Sequence, residues 1–157
     1  MKPSFLVRIA LVLATLSLLA ACGGGKPVRR INPPTISIQQ LAVQADGRWL
    51  LELRIHNFST VPMRFDTFEA GLEIEGSNAG ALFLRPNLEI PGEAADVFEA
   101  TLAPSREAAD RLAEAARSGS VGYLLRGGVQ TSEPSKKFPL SQSSRLSPVP
   151  GRPNTYR

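Results

Sequence analysis

Few of the side chains that usually carry chemistry occur in this chain. Among its 157 residues there is one histidine, His56, and one cysteine, Cys22. A metal site built from several histidines or cysteines is excluded by count, and any Ser-His-Asp triad would have to use His56. His56 falls on the polar phase of an alternating run, which puts it on a surface or rim. Carboxylates are more numerous, and Glu69, Glu73 and Glu75, with Asp66 nearby, line one face of an extended segment. Hard cations take several carboxylate oxygens, but residues two apart on a strand stand about 7 Å apart, too wide to share one ion unaided. Paired carboxylates could also serve glycoside hydrolysis, yet no aromatic platform accompanies these. The row reads as a solvated acidic face, and Trp49 as a core or rim anchor. The sequence therefore predicts no catalytic residues, no metal site, no cofactor and no small-molecule substrate.

Cys22 has a different use. Residues 1–8 carry Lys2 and Arg8, and residues 9–19 form an uncharged run of eleven, ending in Leu19-Ala20-Ala21-Cys22. Eleven residues are too few to cross a membrane, which takes about 20, but they suit the apolar part of a secretory signal with small residues at its cleavage site. Leu19, Ala20, Ala21 and Cys22 resemble the lipobox of bacterial lipoproteins. That resemblance implies a signal peptide over residues 1–21, cleavage before Cys22, and a diacylglycerol on its sulfur, usually with an amide-linked acyl chain such as palmitate. Two or more acyl chains hold where one is marginal. A lone thiol in an oxidising compartment has no internal partner, and lipidation removes that difficulty. Gly23 stands where an aspartate would resemble an inner-membrane retention signal. The expected address is the outer membrane of a bacterial envelope, with the domain in the periplasm.

Charge is segregated along the rest of the chain. Residues 33–125 hold 7 Lys/Arg against 13 Asp/Glu, while Lys26, Arg29 and Arg30 precede them and Arg126, Lys136, Lys137, Arg145, Arg152 and Arg157 follow. An acidic domain with two basic flanks is expected. Basic flanks beside a lipid anchor could lie against anionic head groups, within about a Debye length of 8 Å. Nucleic acid is disfavoured, because no basic patch is interleaved with aromatics.

The elements that must position these residues are mostly strands. Residues 22–32 read as the lipidated cysteine and a flexible Gly/Pro tether. Ile36 and Ile38 share one phase and Leu41 and Val43 the other, so a bulge is expected at Gln39-Gln40. Asp46-Gly47 suggests a type I′ turn. Trp49, Leu51, Leu53 and Ile55 then alternate with polar neighbours in the clearest strand, and Asn57 is expected to cap the turn after it. Residues 63–75 resume extended structure, residues 76–80 read as a loop, and residues 81–84 as a short strand. Pro91-Gly92 suggests a type II turn before a strand over residues 95–102. Ser105 is a natural N-cap for a helix over residues 106–117, whose Ala108, Leu112, Ala115 and Ala116 form a narrow stripe. Val121, Tyr123 and Leu125 make a strand broken at Gly127-Gly128, and residues 137–140 a final edge strand. Residues 141–157 lack periodicity and read as a disordered basic tail. The whole is an all-β sandwich with one short helix, spanning residues 33–140.

The order of features resembles the bacterial branch of the late embryogenesis abundant type 2 family, which contains the water stress and hypersensitive response domain. The resemblance rests on the Asn32-Pro33-Pro34 start, the run Leu51-Glu52-Leu53-Arg54-Ile55-His56-Asn57 with Pro62 behind it, the Ile90-Pro91-Gly92 turn and the helix. The family usually has proline directly after the strand-ending asparagine, where Phe58 stands here. It implies an immunoglobulin- or fibronectin-like sandwich and a stress-associated, non-enzymatic role. Two roles are therefore expected: a lipid-anchored binding or protective module, or an accessory lipoprotein of an envelope assembly or transport complex. In the second, a protein partner would be engaged through the sheet or through Arg145, Arg152 and Arg157.

Overall fold

Strict alternation over residues 49–56 makes a strand with one face dry and the other wet, and the rest of the fold is laid against that dry face. The computed structural model describes residues 28–157; Leu19, Ala20, Ala21, Cys22 and residues 23–27 lie outside the described residues. The elements run β1 (Thr35–Val43), β2 (Trp49–His56), β3 (Met63–Ile74), β4 (Ser77–Leu84), β5 (Leu88–Ile90), β6 (Ala95–Leu102), α1 (Arg106–Arg117), β7 (Val121–Glu133), β8 (Ser135–Leu146) and β9 (Thr155–Tyr156). One antiparallel sheet has the order β6-β2-β1-β9; the other is β4-β3-β7-β8, with β5 also on β3. Both sheets contribute to a single core that includes Trp49, Phe65, Phe68, Leu51, Leu53 and Ile74. Over the described residues the molecule is an all-β sandwich with one short helix. Trp49 is a core residue, 1% exposed.

The expected bulge is present: the register of β1 on β2 slips between Ile38 and Gln40. Beside it, the Ile38 N–H donates 3.1 Å to Tyr123 Oη on the opposite sheet, so a phenol ties the two layers across the core. Ser105 caps α1, its Oγ accepting from the Ala108 N–H, while Ala108 and Leu112 are buried. The helix carries the chain from β6 in one sheet to β7 in the other.

Several local expectations are corrected. Only Gly47 of the Asp46-Gly47 pair has positive φ, at 83°, and the Gly47 N–H donates to Gln44 O while the Gln44 N–H donates to Arg48 O. That is a type I turn followed by a left-handed glycine rather than type I′. After Pro91 the left-handed residue is Glu93, φ 58°, not Gly92; a Cβ on Gly92 would stand 2.7 Å from the Thr60 carbonyl carbon. Residues 77–80 are strand, paired with β3 around an irregularity. Gly127 and Gly128 do not break β7. A Cβ on Gly127 would overlap the Glu69 carbonyl oxygen, so glycine there permits close approach of β3 and β7.

The largest correction concerns residues 141–157, which are ordered. β8 pairs with β7 as far as Leu146, opposite Val121. Beyond it Ser147 and Arg157 exchange two backbone hydrogen bonds of 2.7 and 2.8 Å, and Tyr156 and Thr155 pair with Leu41 and Ala42 of β1. Leu146 and Tyr156 are buried, 1% and 8% exposed. Two apolar anchors and a ladder suffice to order a segment whose composition is otherwise that of a loop.

Candidate functional site

Phe83 is the most exposed large apolar side chain among the described residues, 73% accessible, and the register shows what surrounds it. It lies on the outer face of the five-stranded sheet. Across that sheet Phe83 pairs with Glu69, Glu69 with Gly128 and Gly128 with Pro139. The next outward row is Ala81, Gly71, Arg126 and Ser141. Gly128 in the first row and Ala81 and Gly71 in the second leave an open depression of about 500 Å³, walled by Phe83, Pro139, Arg126, Lys137 and Glu69. An aromatic edge, an imino-acid ring, a floor of exposed backbone and charges of both signs suit an extended ligand lying across strands. Such a face recognises by apolar contact, hydrogen bonding and charge; it presents no nucleophile with a base beside it.

The structure separates the carboxylates of the acidic row. Glu69 lies in the depression, whereas Glu75 sits at the β3–β4 turn with φ 46°. Its Oε1 accepts from the Gly122 N–H and lies 3.6 Å from Arg145 Nη2. Asp66 faces Arg64, 3.6 Å away. Among the described residues no three histidine, cysteine or carboxylate side chains gather in one place. His56 is half-buried at the end of β2, with Phe58 packed on its ring at a centroid distance of 3.9 Å.

Arg145, expected as a partner contact, is exposed and also bonded within the chain. Its Nε and Nη2 donate to Ser120 Oγ at 3.0 and 2.9 Å, so with Glu75 it fastens β8 to the turns beside α1. Arg152 and Arg157 are exposed too. Cys22 and its cleavage residues lie outside the described residues.

Asn57 does more than the turn capping expected of it. It is fully buried, its Nδ2 lies 2.9–3.1 Å from the carbonyls of Val61, Ile90 and Pro91, and its Oδ1 accepts from the Ser59 N–H. This fixes residues 57–62 as a platform for the segment before β1. Thr60 Oγ1 accepts from the Arg30 N–H at 2.9 Å and donates to Val28 O at 2.7 Å. Ser59 Oγ accepts from the Asn32 N–H, and Asn32 Nδ2 donates to Phe58 O. Residues 28–32, expected to belong to a flexible tether, form a bonded arm.

The arm and the segment of residues 147–157 sit at opposite ends of the strands, while Arg126, Lys136 and Lys137 lie within β7 and β8. The arm meets the end where β2 finishes, and the tail bonds to Leu41, Ala42 and Val43 at the other end of β1. Eight strand steps separate these ends, about 26 Å. One surface cannot receive both the arm and residues 147–157 end-on. Sequence reasoning missed the depression because Gly71 is unremarkable in its own strand and Gly128 reads as part of a strand break. An aromatic on the outward phase of residues 81–84 was the available signal.

No protein-family model matches the chain, and no curated protein matches it. Solved structures do. A protein from Arabidopsis thaliana, solved in solution, is similar at a TM-score of 0.49 with 11% identity, over 83% of this chain and 87% of that one. A crystal structure of a protein from Archaeoglobus fulgidus gives 0.41 and 9%, over 76% and 98%. An X-ray structure of a structural-genomics target gives 0.45 and 13%, over 76% and 89%. At these scores the likenesses bear on no functional reading.

Proposed function

We propose that this chain is a non-enzymatic, lipid-anchored protein of the bacterial envelope, a binding module that uses the outer face of its five-stranded sheet. The observation that carries the reading is the depression floored by Gly71, Ala81 and Gly128 between Phe83 and Pro139. Recognition sites pair apolar walls with a few polar groups that fix orientation, as Phe83 and Pro139 stand here beside Arg126, Lys137 and Glu69. Arg126, Lys137 and Glu69 would orient a partner segment that carries charges of both signs. Anchoring through Cys22 fits the Leu19-Ala20-Ala21-Cys22 motif, and a stress-protective role is the narrower form implied by the family resemblance.

Gly71 supplies the test. Its φ is ordinary and a Cβ there meets only Arg126 O, at 3.9 Å, so Gly71→Trp fills the depression without disturbing β3. A photo-crosslinking residue in place of Phe83, in the full chain in its membrane, should capture a discrete partner, and Gly71→Trp should abolish that capture. An unchanged crosslink pattern with Gly71→Trp would refute the assignment of this face. Saturable turnover abolished by one side-chain change would refute the non-enzymatic reading.

The accessory-lipoprotein alternative draws on Arg152 and Arg157, exposed at the end of the strands opposite the arm. In this form a preformed basic end, not a tail that orders on binding, meets the partner. Arg152→Glu with Arg157→Glu should then weaken capture while Gly71→Trp leaves it intact.

A further inference from the structure

The arm end of the sandwich carries a second apolar group. Val28 is 61% exposed, Ile31 40% and Phe58 43%, three of the five exposed large hydrophobics among the described residues. They belong to two strands of chain held together by the Ser59, Thr60 and Asn32 hydrogen bonds. The exposed Arg29 and Arg30 lie between the two apolar residues of the arm. Glu93 is the acid whose backbone joins this loop, its N–H donating to Ser59 O, with Glu89 and Asp96 further along β5 and β6.

What can cover this patch is limited by the chain that precedes it. Five residues separate Cys22 from Val28, a reach of at most about 20 Å between their Cα atoms. Lys26 adds a further positive charge inside that span. We infer that Val28, Ile31 and Phe58, flanked by Arg29 and Arg30, form a seat that rests on the anionic lipid surface into which Cys22 is anchored. The inference rests on the lipoprotein reading and adds an orientation to it. Apolar side chains enter the head-group boundary while neighbouring cations meet lipid phosphates. Because the arm is bonded to the platform ordered by Asn57, the domain stands on the membrane with its strands rising from it. The depression at Phe83 then opens sideways, and Arg152 and Arg157 face away from the lipid.

The sole cysteine makes the test direct. Once Cys22 is lipidated, a cysteine at Phe58 is the only free thiol, and Phe58→Cys, Val28→Cys and, at the opposite end, Asp46→Cys each accept one environment-sensitive fluorophore. The full lipidated chain is reconstituted in vesicles of phosphatidylethanolamine and phosphatidylglycerol, and the mass of its N-terminal peptide is measured. With the lipid mass present, labels at 58 and 28 should be quenched several-fold more by a lipid-borne quencher than the label at 46, and less by aqueous iodide. Arg29→Glu with Arg30→Glu should narrow that difference. Equal iodide quenching at all three positions, or a label at 58 reached by neither quencher because protein covers it, overturns the seat while leaving the anchor intact. Absence of the lipid mass overturns the anchor, and the seat with it.

Discussion

The two ends of the described chain look alike in sequence and are held in different ways. The arm of residues 28–32, set between Pro27 and Pro33, and the tail of residues 147–157, which holds Pro148, Pro150 and Pro153, are both basic and free of periodicity. The arm is fastened to one loop by the side chains of Ser59, Thr60 and Asn32 and by a single backbone bond from the Thr60 N–H to Arg30 O, and buries little of itself. The tail is fastened by backbone ladders and by Tyr156, which sits in the core beside Leu41. Side-chain bonds at an exposed site contribute about 1 kcal/mol each, while burying a large apolar side chain contributes about 1.5–3 kcal/mol. The tail therefore belongs to the fold, and the arm is an attachment laid on it.

The largest effect should come from ending the chain at Leu140. That removes Leu146 and Tyr156 from the core, cuts β8 short and opens the edge of β1; the loss should exceed about 4 kcal/mol, read as a collapse of the denaturant midpoint. A near-native midpoint would mean that the tail is no more integral than the arm. Next comes Asn57→Ala, which strands the carbonyls of Val61, Ile90 and Pro91 and unseats the platform under the arm. About 3 kcal/mol of stability should go, with faster amide exchange at Arg30 and Asn32. Full retention of protection at those amides would show that the arm does not depend on Asn57.

Tyr123→Phe should cost about 1–2 kcal/mol, because the Ile38 N–H loses its acceptor in a dry site. It also sharpens a pH effect. Burial pushes the hydroxyls of Tyr123 and Tyr156 above their ordinary value of 10.0, so above that pH the unfolded chain releases phenol protons more readily than the folded one. Stability contributed by the neutral phenols is complete below about pH 10 and declines as pH rises through the folded values. Phe at 123 should reduce that alkaline slope; an unchanged slope would assign it wholly to Tyr156. Smallest is Thr60→Val, worth about 0.5–1 kcal/mol, which should loosen the Arg30 amide in exchange measurements and leave the melting midpoint nearly still. A large midpoint shift would place the arm on the same footing as the tail.

What the sequence discloses depends on how far away the cause lies. Alternation in β2, the Ser105 cap, the bulge at Gln39-Gln40 and the turn role of Asn57 follow from neighbours within a few residues, and each is legible. Gly127 looks like a strand breaker because its reason, the Glu69 carbonyl, belongs to β3. Leu146 and Tyr156 look like stray apolar residues in a loop because their partners are in β7 and β1. Pinning of the arm by Ser59 and Thr60 is equally hidden, since hydroxyls are common in loops that hold nothing. The depression at Phe83 needed the lateral order of four strands, and no single segment contains that.

Pairing of Leu41 with Tyr156 joins residues 115 positions apart. A chain that emerges N-terminus first therefore makes β1 early and can complete that strand's outer edge only after residue 156 has appeared. Through that interval part of β1 presents unpaired amides and carbonyls, the arrangement that invites a foreign strand. Contacts this distant form slowly, because loop closure must precede any gain. Closure of the β1 edge at Leu41 and Ala42 thus waits on Thr155 and Tyr156.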